Sequence, residues 1–123
     1  MSTGSQSVLF PELLAENLAA DQVKLSLRIP AELAYFKGHF DEIAVVPGVG
    51  QIQWAVHYAQ QYLGLNREFS HMDVIKFKEL LLPGQLVELS LRYLAQASKL
   101  EFCYRSESCE YSSGRIYFRD DRV

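Results

Sequence analysis

Long apolar runs are missing from this chain, and none reaches the length needed to cross a bilayer, so no membrane association is expected. The opening residues, MSTGSQSVLFPELL, lack both a basic leader and a long apolar stretch, and no secretion signal is expected there. Cysteine is scarce. Cys103 and Cys109 form no Cys-x-x-Cys motif, and with the 3 histidines present they compose no metal site. They read as reduced, partly buried thiols of a cytoplasmic protein, six residues apart and facing one side if their strand is continuous. Basic excess is also absent. A net charge of -3 argues against a nucleic-acid coat, which needs a clustered basic face. Internal repeats, low-complexity segments and linkers are lacking too, and no cofactor is implied.

What is present is an ordinary globular balance, 49% hydrophobic and 22% charged. A chain of 123 residues makes one domain, 1–123, with a single core. Residues 8–20, VLFPELLAENLAA, read either as a short helix after Pro11 or as a leading arm. Residues 23–29, VKLSLRI, alternate apolar and polar side chains as a strand with one buried face, which Pro30 ends.

From Val49 the apolar residues Ile52, Val56, Ala59 and Leu63 recur at helical spacing, and Ala55 and Tyr62 widen the stripe. Pro47 and Gly48 mark the helix entry and Gly64 its exit. Trp54 and Tyr58 lie on another side, so the helix is apolar over more than one face and is expected to be wrapped by protein. Gln53 reads as the first polar side chain deep within it. Strands follow at HMDVIKFKELLL, at QLVELSLRYLAQ with one slip of phase, at KLEFCYRSES and at GRIYFRD. Pro83-Gly84 and Ser112-Ser113-Gly114 are the expected turns. One strand, one long central helix and four antiparallel strands in series make an α+β layer architecture with the sheet packed on the helix.

The segment GHFDEIAVVPGVGQIQWA, residues 38–55, resembles the active-site signature of the 3-hydroxyacyl-[acyl-carrier-protein] dehydratases, roughly G-H-F-P-x-x-P-V-x-P-G-V-L-x-x-E-A. The downstream VIKFKELLLPGQLVELSLRYL is similar to that family's strand-turn-strand. The GQIQWA continuation also looks like the small dehydratases of bacterial aryl-polyene clusters. The likeness runs from about Tyr35 to Phe118 and is best matched at Gly38, His39, Phe40, Val45, Pro47, Gly48 and Val49. It implies a hotdog fold, a curled antiparallel sheet around one long helix, working as a homodimer or dimer-based oligomer with sites at the subunit boundary.

The resemblance also implies an activity: loss of water from a 3-hydroxyacyl thioester, on acyl carrier protein or coenzyme A, to give the trans-2-enoyl thioester. His39 would be the base for the α-proton, because histidine titrates near neutrality. The backbone carbonyl of Val45 would fix its tautomer, and the backbone N–H of Gly48 would bind the thioester oxygen as negative charge grows there. Gln53 stands where the family carries Glu or Asp. Glutamine transfers no proton at neutral pH, although it donates a hydrogen bond or holds a water. Either His39 returns its proton to the leaving hydroxide, or His57, one turn beyond Gln53, relays one through water.

Other family positions also depart. Asp41 and Ala44 stand where proline is usual, and Gly50 replaces a larger apolar residue, widening the mouth of the acyl tunnel beside Val49. Phe36, Phe40 and Trp54 read as tunnel lining or as core; Tyr58 and Tyr62 as core or interface. Lys76 and Lys78 read as a solvated strand face or as a contact for an acidic carrier protein. Two further functions fit the same residues. One is a hotdog thioesterase; the other is a non-catalytic acyl-binding subunit whose hotdog partner supplies the missing acid.

Overall fold

The computed structural model describes residues 10–30 and 46–119. They form β1 (Glu12–Leu18), β2 (Gln22–Arg28), α1 (Gly48–Leu63), β3 (Phe69–Phe77), β4 (Leu86–Leu94), β5 (Lys99–Arg105) and β6 (Glu110–Phe118), with a short 3-10 turn at Ala95–Ala97 between β4 and β5. The strands make one antiparallel sheet in the order β1-β2-β4-β5-β6-β3. The sheet curls around α1, the one α-helix among the described residues, in the α+β hotdog arrangement.

Period-two burial builds the inner face of the sheet. Val23, Leu25 and Leu27 of β2 turn inward while Ser26 and Arg28 stay exposed. On β4 the buried positions are Val87, Leu89 and Leu91, and the phase slip leaves Leu86 on the outer face. α1 answers with Trp54, Ala55, Tyr58 and Ala59, all buried, while Ile52, Val56, Tyr62 and Leu63 pack half-buried around them. The most enclosed helix face thus centres on Trp54 and Tyr58, and the Ile52-Val56-Leu63 stripe lies at its margin. Each fully enclosed leucine contributes about 1.5–3 kcal/mol through burial.

Three expectations are corrected. Residues 12–18 are neither helix nor loose arm, because β2 offers them a ladder and Glu12 through Leu18 pair along Arg28 through Val23. The last four strands do not pair in series: β3 bonds to β6 at the far edge rather than to β4. Ser112, Ser113 and Gly114 do not turn the chain but lie in the middle of β6, and the turn falls at residues 106–109, where Ser106 N–H bonds Cys109 carbonyl at 2.8 Å. Small residues serve β6 for clearance rather than flexibility. A Cβ on Gly114 would overlap Ile75 Cδ1 and lie 2.9 Å from the Phe102 ring. That turn also separates Cys103 from Cys109; both are free thiols and half-buried.

No helix among the described residues is long and apolar enough to cross a membrane. Among them no three His, Cys, Asp or Glu side chains gather as metal ligands.

Candidate active site

Pro47 caps the start of α1 in extended geometry, φ -62 and ψ 154, and pre-sets the turn into the first helical residue, Gly48. No side chain among the described residues caps the first turn, and no acidic residue lies in it. Among the described residues no side chain offsets the positive end of the helix dipole, which leaves the first amide N–H groups suited to an anionic oxygen. At the other end Gly64 closes the helix in the left-handed conformation, φ 66, its N–H bonding Ala59 carbonyl.

The helix start is clamped from three sides. Val46 N–H donates to Leu81 carbonyl at 2.8 Å, tying the entry to the segment between β3 and β4. Gln51, buried at 3% exposure, donates through Nε2 to Val46 carbonyl at 3.1 Å and accepts at Oε1 from Ser112 Oγ at 2.6 Å. Tyr104, itself buried, donates its hydroxyl to Gln51 carbonyl at 2.6 Å. β5 and β6 thus hold the first turn of α1 through one buried glutamine. Buried polar groups must be paired, and these bonds leave little room for the turn to shift.

Phe77 of β3 roofs the same turn. A Cβ at position 48 would come 2.6 Å from Phe77 Cζ, so glycine is required for the ring to lie against the backbone. Although it packs there, Phe77 remains 51% exposed and presents an apolar wall beside the helix start.

The expected site residues separate into three groups. His39, Val45, Phe36 and Phe40 lie outside the described residues, as do Asp41 and Ala44. Gly48, Val49 and Gly50 sit together on the first turn, Val49 exposed and Gly50 buried. Gln53 does not lie deep in the single chain: it is exposed on the outer side of α1, in line with Val49. The enclosed glutamine is Gln51, which the sequence reading passed over. The available signal was its place two residues earlier, opposite the outward Val49-Gln53 row and beside Trp54 and Ala55. Trp54 is fully enclosed in the core. His57 is half-buried, stacked on Phe10 with ring centroids 4.3 Å apart and edge-on to Tyr58 at 5.1 Å.

Tyr58 and Tyr62 continue this aromatic row, their centroids 6.3 Å apart. Burial, with Tyr62 nearby, pushes the Tyr58 hydroxyl up to about 12. Tyr62 donates to Glu16 Oε2 at 2.7 Å, and that bond first, then burial and the carboxylate charge, raise its pKa. Both phenols are thus held neutral, as packing groups near α1 and β1.

Residues 15–115 match the profile of a family described as ApeI-like, ApeI dehydratase. A chain of the dehydratase heterocomplex ApeI:P from Xenorhabdus doucetiae superposes with a TM-score of 0.83 at 30% identity, covering 89% of this chain and 99% of that one. An uncharacterized protein from Erwinia carotovora subsp. atroseptica superposes at 0.79 with 31% identity, covering 93% and 99%. Thioesterase superfamily member 2 from Mus musculus shares the fold, with a TM-score of 0.64 at 10% identity, covering 85% and 84%. No curated protein sequence matches this one.

Proposed function

The chain belongs to the ApeI-like dehydratase family, and from that premise we propose that it removes water from a 3-hydroxyacyl thioester on acyl carrier protein. The product is the trans-2-enoyl thioester of a fatty-acid- or polyene-type synthesis. The observation that carries the reading is the Pro47–Gly48 helix start, uncapped by any side chain among the described residues, held by Gln51 and walled by Phe77.

In this reading His39 takes the α-proton, and the C–H electron pair moves into an enolate whose oxygen is met by the Gly48 N–H. A donor of this kind is worth about 2.7–4 kcal/mol in other enzymes. The enolate then collapses, its electrons form the C2–C3 double bond, and the C3–O bond breaks. The departing hydroxide takes a proton from the imidazolium of His39 and leaves as water, which restores the base. Val45 carbonyl holds the imidazole tautomer, and Gln53 hydrogen-bonds the departing oxygen. Val49 and Gly50 border the acyl chain.

A second reading rests on the outward position of Gln53 and on the name of the Xenorhabdus neighbour, a heterocomplex. Here the chain pairs with a different hotdog subunit, which contributes the acid that Gln53 lacks. The test is intact-mass analysis of a 3-hydroxyacyl carrier protein incubated with the pure chain, with His39→Ala, and with a mixture of the chain and an ApeP-type partner. Loss of one water with the pure wild type supports the stand-alone enzyme. Loss only in the mixture supports the heteromeric one, and an unchanged carrier in every arm overturns both.

A further inference from the structure

The outer face of the sheet, away from α1, carries a row of short side chains between two lysines. Strand register sets Lys24 opposite Ser90, Ser90 opposite Cys103, Cys103 opposite Ser113 and Ser113 opposite Lys76. This row crosses five strands, so its ends lie about 19 Å apart at the usual strand spacing. Longer side chains stand on both sides: Arg92, Glu101 and Arg115 form the next row one way, and Glu88, Arg105 and Glu110 the other. Short floor and long walls leave a trough of about 480 Å³.

The trough is cationic on an acidic chain. Five lysine and arginine side chains line it against two glutamates, whereas the whole chain carries a net charge of -3. Both glutamates are engaged by lysines that do not line it: Lys99 reaches Glu101 at 3.9 Å and Lys78 reaches Glu110 at 3.2 Å. Arg105 is engaged by Glu88 at 3.4 Å. Lys24, Lys76, Arg92 and Arg115 make no ion pair with any described residue, although Asp73 stands opposite Arg115 at the β3 edge.

The floor adds the second observation. Ser90 Oγ is the one buried side-chain oxygen or nitrogen among the described residues without a hydrogen-bond partner. A buried hydroxyl left so is unfavourable, and an oxyanion accepting its proton would offset that. Beside it, burial and the nearby Glu110 hold the Cys103 thiol above its ordinary value, so the floor adds no negative charge of its own. Shape chooses among anionic ligands. The flanking rows stand about 13 Å apart at the backbone, and their side chains narrow that below the 10–12 Å width of a helix. An acidic helix spans the walls without reaching Ser90, whereas a phosphate group enters between them.

We propose that this trough binds a multivalent phosphate, an organic di- or triphosphate, with Arg92 and Arg115 on the central phosphates, Ser90 donating from the floor, and Lys24 and Lys76 holding the ends. The site is separate from the helix start and independent of the reaction assigned there.

Calorimetric titration of the full chain with inorganic phosphate, pyrophosphate and tripolyphosphate at low salt, with citrate and a polyglutamate peptide as comparisons, tests it. Affinity is expected to rise with the number of phosphates, to Kd below about 1 mM for tripolyphosphate, and to fall as salt screens the charges. Arg92→Glu with Arg115→Glu, in a protein that melts as wild type does, is expected to weaken tripolyphosphate at least about tenfold. Ser90→Ala is expected to weaken it less and Ser90→Thr to preserve it. Absence of phosphate binding overturns the site. So does binding that the arginine and serine variants leave unchanged, and so does equal or tighter binding of citrate or of the peptide.

Discussion

Ser112 on β6 donates its hydroxyl to Gln51 Oε1 at 2.6 Å, and through that contact the sheet fixes the turn that opens α1. The other end of the same amide holds Val46 carbonyl. Replacing Gln51 by leucine fills the space but leaves that carbonyl and the Ser112 hydroxyl buried without partners, at about 1–3 kcal/mol each. Denaturant unfolding of Gln51→Leu, Ser112→Ala and the double variant measures this. The double variant is expected to lose less than the sum of the singles, because the two residues share one bond.

Gly48→Ala sets a methyl group against the Phe77 ring. The ring is half exposed and can swing outward, so the stability loss is expected to stay within about 1–3 kcal/mol. Turnover of the proposed 3-hydroxyacyl carrier substrate is expected to fall by more than about tenfold, because the Gly48 N–H would move relative to the thioester oxygen it is proposed to bind. Combining it with Phe77→Leu should recover part of the loss in a kcat assay. Full activity of Gly48→Ala would contradict the role given to that amide.

Gln53→Glu restores a group that transfers a proton. If the pure chain is a slow dehydratase, this variant is expected to gain at least about tenfold, toward the roughly 10²–10⁴-fold that general-acid help supplies. The gain should fade as pH rises through the pKa of the new carboxyl, because only its protonated form donates. A rate-against-pH profile of both proteins decides the matter.

Alkali should loosen the fold through Tyr58. Its hydroxyl titrates near 10 in the unfolded chain and is pushed up to about 12 in the folded one, chiefly by burial. Between these values the unfolded chain releases a proton that the folded chain keeps, so stability falls with rising pH. The contribution is complete below about pH 10 and lost as pH passes through about 12. Tyr62, raised by its bond to Glu16, acts in the same direction. Urea midpoints across this range are expected to fall less steeply for Tyr58→Phe than for the wild type.

Gly114→Val is expected to be the most damaging change on β6, because both Ile75 and Phe102 occupy the space a side chain needs. Overpacking of this kind costs about 1–3 kcal/mol, readable as a lower denaturation midpoint.

The elements with strong periodicity were legible from the residues alone. β2, β4 and α1 emerge within a residue or two of their bounds, and Pro47, Gly48 and Gly64 mark the helix ends. β1 was not legible, because its exposed face carries no alternation and its strand form depends on pairing with β2. Nor was the small-residue run of β6, since serine and glycine signal turns locally and close packing only in three dimensions. For the site, the Pro-Gly start could be read from its spacing. The distinction between Gln51 and Gln53 could not, because Ser112 and Tyr104 come from distant strands.

Both outer strands of the sheet are irregular: β1 breaks register between Leu13 and Ala15, and β3 does so between Phe69 and His71 and again between Asp73 and Lys76. Each also exposes apolar side chains, among them Leu14 and Leu18 on one side and Phe69 and Met72 on the other. A straight strand laid along either margin meets a kink before it can complete a ladder. Irregular margins of this kind disfavour indiscriminate stacking of copies into a fibril and favour a companion strand with a matching offset.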